Sequence, residues 1–234
     1  MTNQKDSIKD VMAGIGGALL IAGAMCTPFV FRSLRTKWGT LKKELSDKYP
    51  GDELVPRPKW SFTHAVTIKT PGENVWPWIA QIGQGRGGFY SYQWLENLAG
   101  CEIYNVYEIV LRFQNLKIGD EIKLHVKTPG LVVSLMEPGK YFVLQGREDQ
   151  ESHEYFDTSD SMPEKYLNVS WGFYLNEISP GKTRLLSRYR SDYSDQFANR
   201  LSLGPLFVEP VSFVMDRKML RQIKKNAEAG YSVE

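Results

Sequence analysis

The chain has 234 residues, 42% of them hydrophobic and 24% charged, with a formal net charge of +2. That is enough apolar material for one sizeable core plus an appendage. The basic residues alternate with acids and form no recognised module, so no nucleic acid is expected as a partner. Two cysteines and three scattered histidines (His64, His125, His153) offer no disulfide framework and no zinc-ligand spacing, and neither a metal nor a cofactor is expected.

After a short tail (1–10), residues 11–31 run "VMAGIGGALLIAGAMCTPFVF" without a charge. Twenty-one helical residues at about 1.5 Å each cross a hydrocarbon layer of about 30 Å, so the stretch predicts a membrane helix. Arg32, Arg35, Lys37, Lys42 and Lys43 follow it, and the positive-inside rule then puts the C-terminal part in the cytoplasm. A cleaved signal and a soluble helix are the alternatives. Gly14, Ala18, Ala22 and Cys26 form a small-residue ridge through which two such helices could self-associate. Residues 32–59 read as a connector: a short basic amphipathic helix on a membrane surface, broken by "PGDELVPRP".

From Trp60 the pattern changes. "WSFTHAVTIKT" alternates as a half-buried strand does, and "PGENVWPWIAQIG" then carries Val75, Trp76, Ile79 and Ile82 at helical spacing. Next comes "GQGRGGFYSY", which has the G-x-G-x-x-G spacing of a dinucleotide cradle in Gly83, Gly85 and Gly88. That cradle needs a buried strand before it and a helix opening on it. Here a helix precedes and a run of bulky rings follows, so the glycines read as a tight turn that lets aromatics approach the backbone. "SYQWLENLAG" is a second short helix.

Beyond Gly100 the chain turns β-rich. Residues 120–126, 131–137 and 141–147 read as strands, and "LNVSWGFYLNEI" and "TRLLSRYRSDY" as a hairpin about "SPGK". Between them, residues 148–165 hold seven acids and one base, a net of −6 that leaves the rest of the chain at about +8. The segment 148–166 reads as an exposed, dispensable loop. A long amphipathic helix starts near Pro205 or Glu209 and sets Val211, Val214, Met215, Met219 and Ile223 on one face.

Strand, two short helices, about six antiparallel strands and a long helix predict an α+β fold whose order resembles a helix grip. In it a curved antiparallel sheet wraps the C-terminal helix over residues 60–230 and leaves an internal cavity. At this point the sequence resembles a family. "HAVTIKTPGENVWPWIAQIGQGRGGFYSYQWLENLAG" and "VEPVSFVMDRKML" are similar to the polyketide cyclase/dehydrase-like group of the START-like SRPBCC superfamily. The resemblance implies a cavity for a hydrophobic molecule. It implies no particular reaction, because the superfamily includes carriers, sensors and cyclases.

Candidate ligand-binding residues are Trp78, Arg86, Tyr90, Tyr92, Trp94, Trp171, Val211, Met215 and Met219, with Gln81, Asn97, Arg112, Arg188 and Arg190 as further polar groups. A cyclase needs a base and a group that steadies an enolate, for which Glu96 with Tyr90 or Arg86 could serve. Each has a plainer reading: Glu96 on a solvated helix face, Arg86 pinning its loop to a carbonyl, the tryptophans in the core, His64 and His125 as ordinary strand residues. The expectation is a membrane-anchored binder of a hydrophobic small molecule or lipid, with a cyclase or aromatase, or a protein-interaction module, as alternatives. A buried acid or base pointing into the cavity separates catalysis from binding.

Overall fold

Among the described residues, alternation in five long segments and one two-residue pairing give six strands: β1 (Trp60–Ile68), β2 (Glu121–Ile122), β3 (Leu131–Glu137), β4 (Tyr141–Asp149), β5 (Tyr166–Ser179) and β6 (Lys182–Tyr193). The computed structural model describes residues 4–26, 31–152, 154–156 and 163–230. Part of the predicted span (27–30), and His153 with 157–162 of the acidic segment, lie outside the described residues. The strands form one antiparallel sheet in the order β1-β6-β5-β4-β3-β2, so the chain's first strand closes against its last. Of the 120–126 strand expected from sequence, only Glu121 and Ile122 pair.

Among the described residues, seven helices accompany the sheet: α1 (Gln4–Cys26), α2 (Arg32–Thr36), α3 (Lys42–Ser46), α4 (Trp76–Ala80), α5 (Gln93–Leu98), α6 (Phe197–Ser202) and α7 (Val208–Ala229). The helical reading of 71–83 resolves into a 3-10 turn at 72–74 followed by α4, with Pro77 in the first turn, where its missing N–H costs nothing. α7 lies in the concave face. Val214, Met219, Leu220 and Ile223 are buried there, with Phe173 and Leu185 of the sheet in the same core cluster.

The strand period puts alternate residues on opposite faces. Phe62, His64 and Val66 of β1 and Leu185, Ser187 and Tyr189 of β6 face α7. Ala65, Leu186, Val143 and Tyr174 face outward and form a second cluster with Tyr49 and Leu54. That outward face is covered by residues 39–56. Arg184 donates to Glu44 at 2.6 and 2.8 Å, and Arg188 donates to Asp52 at 2.7 and 3.1 Å. Arg190 holds the carbonyls of Val55 and Pro56. The connector expected on a membrane surface is thus a strap bound to the convex side of the sheet. Its acids are needed to neutralise arginines that β6 points away from the cavity.

α1 is long and apolar enough to cross a membrane. In this structure one of its faces rests on the domain: a Cβ at Gly14 would lie 2.5 Å from the Trp94 ring, and at Gly17 2.8 Å from the Tyr92 ring. Ala18, Ala22 and Cys26 of the predicted ridge are exposed, because the contact follows Gly14, Gly17 and Ala24 instead. The opposite stripe is bare apolar surface, with Met12 63% and Leu19 69% exposed.

Only side-chain-free positions permit this approach, so Gly17→Val should lever α1 away. Hydrogen exchange of residues 8–26 is expected to rise to that of an isolated helix while β5 and β6 keep their protection. Unchanged exchange in α1 would mean that the docking does not depend on the glycine.

Candidate functional site

Between the concave sheet, α5 and α7 lies a cavity of about 700 Å³. Its walls are mostly apolar: Phe62, Phe89, Ile103, Leu131, Leu167, Val169 and Trp171 from the sheet side and loops, Val208, Val211, Met215 and Met219 from α7. Polar groups enter at separate points: Ser91, Glu96 and Cys101 around α5, Ser212 and Asp216 on α7, and Glu121, Arg147, Glu148 and Glu154 around the outer end.

Glu96 is the group with unusual chemistry. It is 7% exposed, and its Oε2 is buried with no hydrogen-bond partner among the described residues. Burial without compensation pushes its pKa from 4.5 to about 7. Burial and the neighbouring Glu96 charge also push the Cys101 thiol up, which keeps it protonated and a poor nucleophile. The solvated helix face expected for Glu96 is therefore corrected: α5 turns it inward.

Asp216 belongs to a different arrangement. Trp171 Nε1 donates to Ser187 Oγ at 2.9 Å, Ser187 donates to Asp216 Oδ1 at 2.7 Å, and Asp216 Oδ2 lies 2.6 Å from His64 Nδ1. His64 Nε2 meets the Arg35 carbonyl at 2.6 Å. A carbonyl only accepts, so Nε2 carries a hydrogen, and the remaining proton sits between Nδ1 and the carboxyl. Either placement leaves the His64–Asp216 pair without net charge. His64 is thus the buried centre of a network, not the ordinary strand residue expected from sequence.

Of the candidates from sequence, Glu96, Trp171, Val211, Met215 and Met219 line the cavity. The others do not. Trp78 and Tyr90 pack edge to face in the core, and Gln81 donates to the Tyr90 hydroxyl at 2.7 Å. Burial raises the Tyr90 pKa, so this phenol is no acid. Arg86 donates to the carbonyls of Ala80, Ile82 and Phe113, which is the loop-pinning role. Tyr92 and Trp94 face α1 because the small residues there leave room for rings. Asn97 clamps Ile103 through both its backbone groups. Arg188 and Arg190 sit under the strap, and Arg112 stacks on Phe113.

The glycine loop is closed on itself. Gly83, Gly85 and Gly88 all have positive φ, Gly83 and Gly88 bridge, and the amides of 83, 84, 86, 87 and 88 already donate to backbone carbonyls. Those N–H groups are spent, which removes the main feature a phosphate would use. Sequence reasoning passed over Ser91, Cys101, Glu121, Arg147, Glu154 and Asp216. Only Asp216, a charge set among the apolar positions of α7, left a signal.

A curved antiparallel sheet closed by a long C-terminal helix over an apolar cavity defines the helix-grip class. No family model and no curated protein matches the chain. Among solved structures it is similar to a protein from Helicobacter pylori (10% identity, 80% of this chain and 96% of that one, TM-score 0.44) and a conserved protein from Geobacillus kaustophilus (12%, 73% and 96%, 0.39). It is also similar to an aromatase/cyclase from Streptomyces sp. R1128 (15%, 74% and 99%, 0.32).

A raised carboxyl pKa has a thermodynamic signature. The folded pKa exceeds the unfolded one, so the native state binds the extra proton between them and loses stability as pH rises through 7. Between about pH 5.5 and about pH 8.5 the wild type should lose about 2 kcal/mol more than Glu96→Gln in urea titrations. Parallel pH profiles would mean that Glu96 is solvated.

Proposed function

We propose that the protein is a cyclase-type enzyme acting on an apolar carbonyl compound, with Glu96 as the general base. The observation that carries this is the unpaired, buried Glu96 carboxyl in the wall of an apolar cavity of about 700 Å³. A pKa of about 7 leaves a large fraction of Glu96 as carboxylate at neutral pH and still makes it an effective proton acceptor. The ionised carboxylate removes a proton from the carbon next to a substrate carbonyl, giving an enolate and a protonated Glu96. The Ser212 hydroxyl is a neutral donor in the same wall that can steady the enolate oxygen, whereas the Ser91 hydroxyl donates to the Met215 carbonyl at 3.2 Å. The enolate carbon then bonds to a second carbonyl carbon of the folded substrate, and the new alkoxide takes the proton back from Glu96. No oxidant or reductant enters.

The test uses 2-tetralone, a bicyclic ketone with exchangeable protons beside its carbonyl. In D₂O the wild type should speed deuterium uptake, with a rate rising through about pH 7 as Glu96 ionises. Glu96→Gln should lose the acceleration by about 100-fold or more while still binding a neutral hydrophobic dye. Wild-type exchange no faster than buffer would remove the catalytic reading and leave a carrier of hydrophobic molecules.

Attachment of this domain to a membrane is supported by the length of α1 and by its exposed Met12, Ile15 and Leu19 stripe. Expressed full-length protein should stay with membranes through alkaline carbonate extraction. Release into the soluble fraction would make α1 an accessory helix of a soluble protein.

A further inference from the structure

The acidic segment and the cavity meet. Glu148 and Glu154 come from the segment of net −6, Glu121 comes from β2 on the far side of the sheet edge, and all three line the same cavity as Glu96. Asp216 is neutralised by sharing a proton with His64. Four carboxyls remain in the lining, and the one cation there among the described residues is Arg147, whose side chain lies on the outward face of β4 with Val143 and Gln145. With the Gln145 amide oxygen turned toward it, Arg147 donates two bonds of 2.7 and 2.8 Å to that side chain. Glu121 Oε1 accepts the Gly130 amide at 2.6 Å, which holds its charge at the rim. The described ends of the segment are anchored: Phe156 is buried with its ring edge-on to Tyr166, Asp149 donates its amide to the Glu154 carbonyl, and Gln150 donates to that of Lys165.

A cleft of one sign in low-dielectric walls enriches ions of the opposite sign and repels its own. Inside, the unpartnered Glu96 Oε2 is a second negative or acceptor site aimed at whatever enters. Among the described residues, Arg147 is the one cation of the lining, and its guanidinium is held on the Gln145 side chain. We propose that the cavity filters its ligands by charge. It admits apolar molecules whose polar group is neutral or cationic and rejects those that end in a carboxylate, sulfonate or phosphate. This rests on the reading of the cavity as the ligand site, and it narrows the substrate to a neutral ketone or its amine-bearing relatives, excluding free fatty acids and other acids.

Two fluorescent dyes differing by one anionic group provide the test. N-phenyl-1-naphthylamine is neutral; 1-anilinonaphthalene-8-sulfonate is the same ring system with a sulfonate. The full-length protein at low salt should bind the neutral dye at least about tenfold more tightly, and about 0.5 M NaCl should narrow the gap by screening. The double variant Glu121→Gln/Glu154→Gln keeps the hydrogen-bonding shape of the rim and should tighten sulfonate binding several-fold while leaving the neutral dye unchanged. Met215→Trp, which places an indole in the cavity, identifies the bound fraction that is inside it. A Met215-sensitive site that takes both dyes equally, or a ratio unmoved by the double variant, overturns the filter while leaving Glu96 and its ketone exchange untouched. Insensitivity of both dyes to Met215→Trp overturns the cavity as the ligand site, and the filter with it.

Discussion

The structure depends on the buried line of hydrogen bonds from Trp171 through Ser187 and Asp216 to His64 and the Arg35 carbonyl. A helix gripped over a void cannot be located by dense packing alone, because the atoms that would fix its rotation and slide are missing. Directional bonds do that work here. Asp216 fixes α7 against two adjacent strands at once, since His64 on β1 and Ser187 on β6 are register partners. Removing one member of such a buried pair typically costs about 3–5 kcal/mol, far more than the pair adds over an apolar substitute. The network is therefore a device for position. It also builds the cavity wall: Trp171 lines the void and is oriented by Ser187, and Phe62 lines it while stacked at 4.2 Å on His64.

The same network reaches the other side of the sheet's edge. His64 ends on α2, whose Arg35 also pairs with the buried Glu209 at the start of α7, as does Arg32. Beyond α2 the strap continues over the convex face to the three arginines of β6. The positions of β6 from Arg184 to Arg190 thus have an assignment by parity. Odd residues serve α7 and the cavity; even residues hold residues 39–56 of the strap. A sheet with both faces covered explains why a chain region rich in proline and charge, which reads as linker, is part of the domain.

Sequence made the architecture legible because its signals are periodic and local. The boundaries of β3, β4, β5 and β6 follow from alternation, and α7 from its apolar stripe. What periodicity cannot supply is the partner of a polar residue. His64 sits at an inward strand position and Asp216 on the inner face of a helix 152 residues away, and only folding pairs them. The same limit governs the aromatics. Trp78, Tyr92, Trp94 and Trp171 look alike as ring-bearing candidates, yet one is core, two receive α1 and one walls the cavity. The loop pattern of 148–166 is polar and acidic, and nothing in it announces that Phe156 is buried or that Glu154 faces the void.

Glu96 belongs to the same class of non-local facts. α5 has six residues, too few to hold a helix in water, where isolated helices under about 12 residues are marginal. Its orientation is imposed from outside. Tyr92 and Trp94, around its first turn, are filled in by the glycine face of α1, and Asn97 ties its end to Ile103. With those sides taken, the carboxyl between them has the cavity as its remaining outlet, and no donor among the described residues waits for its Oε2. A glutamate on an amphipathic turn would ordinarily swing to water and keep a carboxylate's usual pKa. Here the tertiary contacts of α5 forbid that swing. The raised proton affinity of Glu96 is therefore a property of how α1, α5 and the β-rich wall are assembled around it.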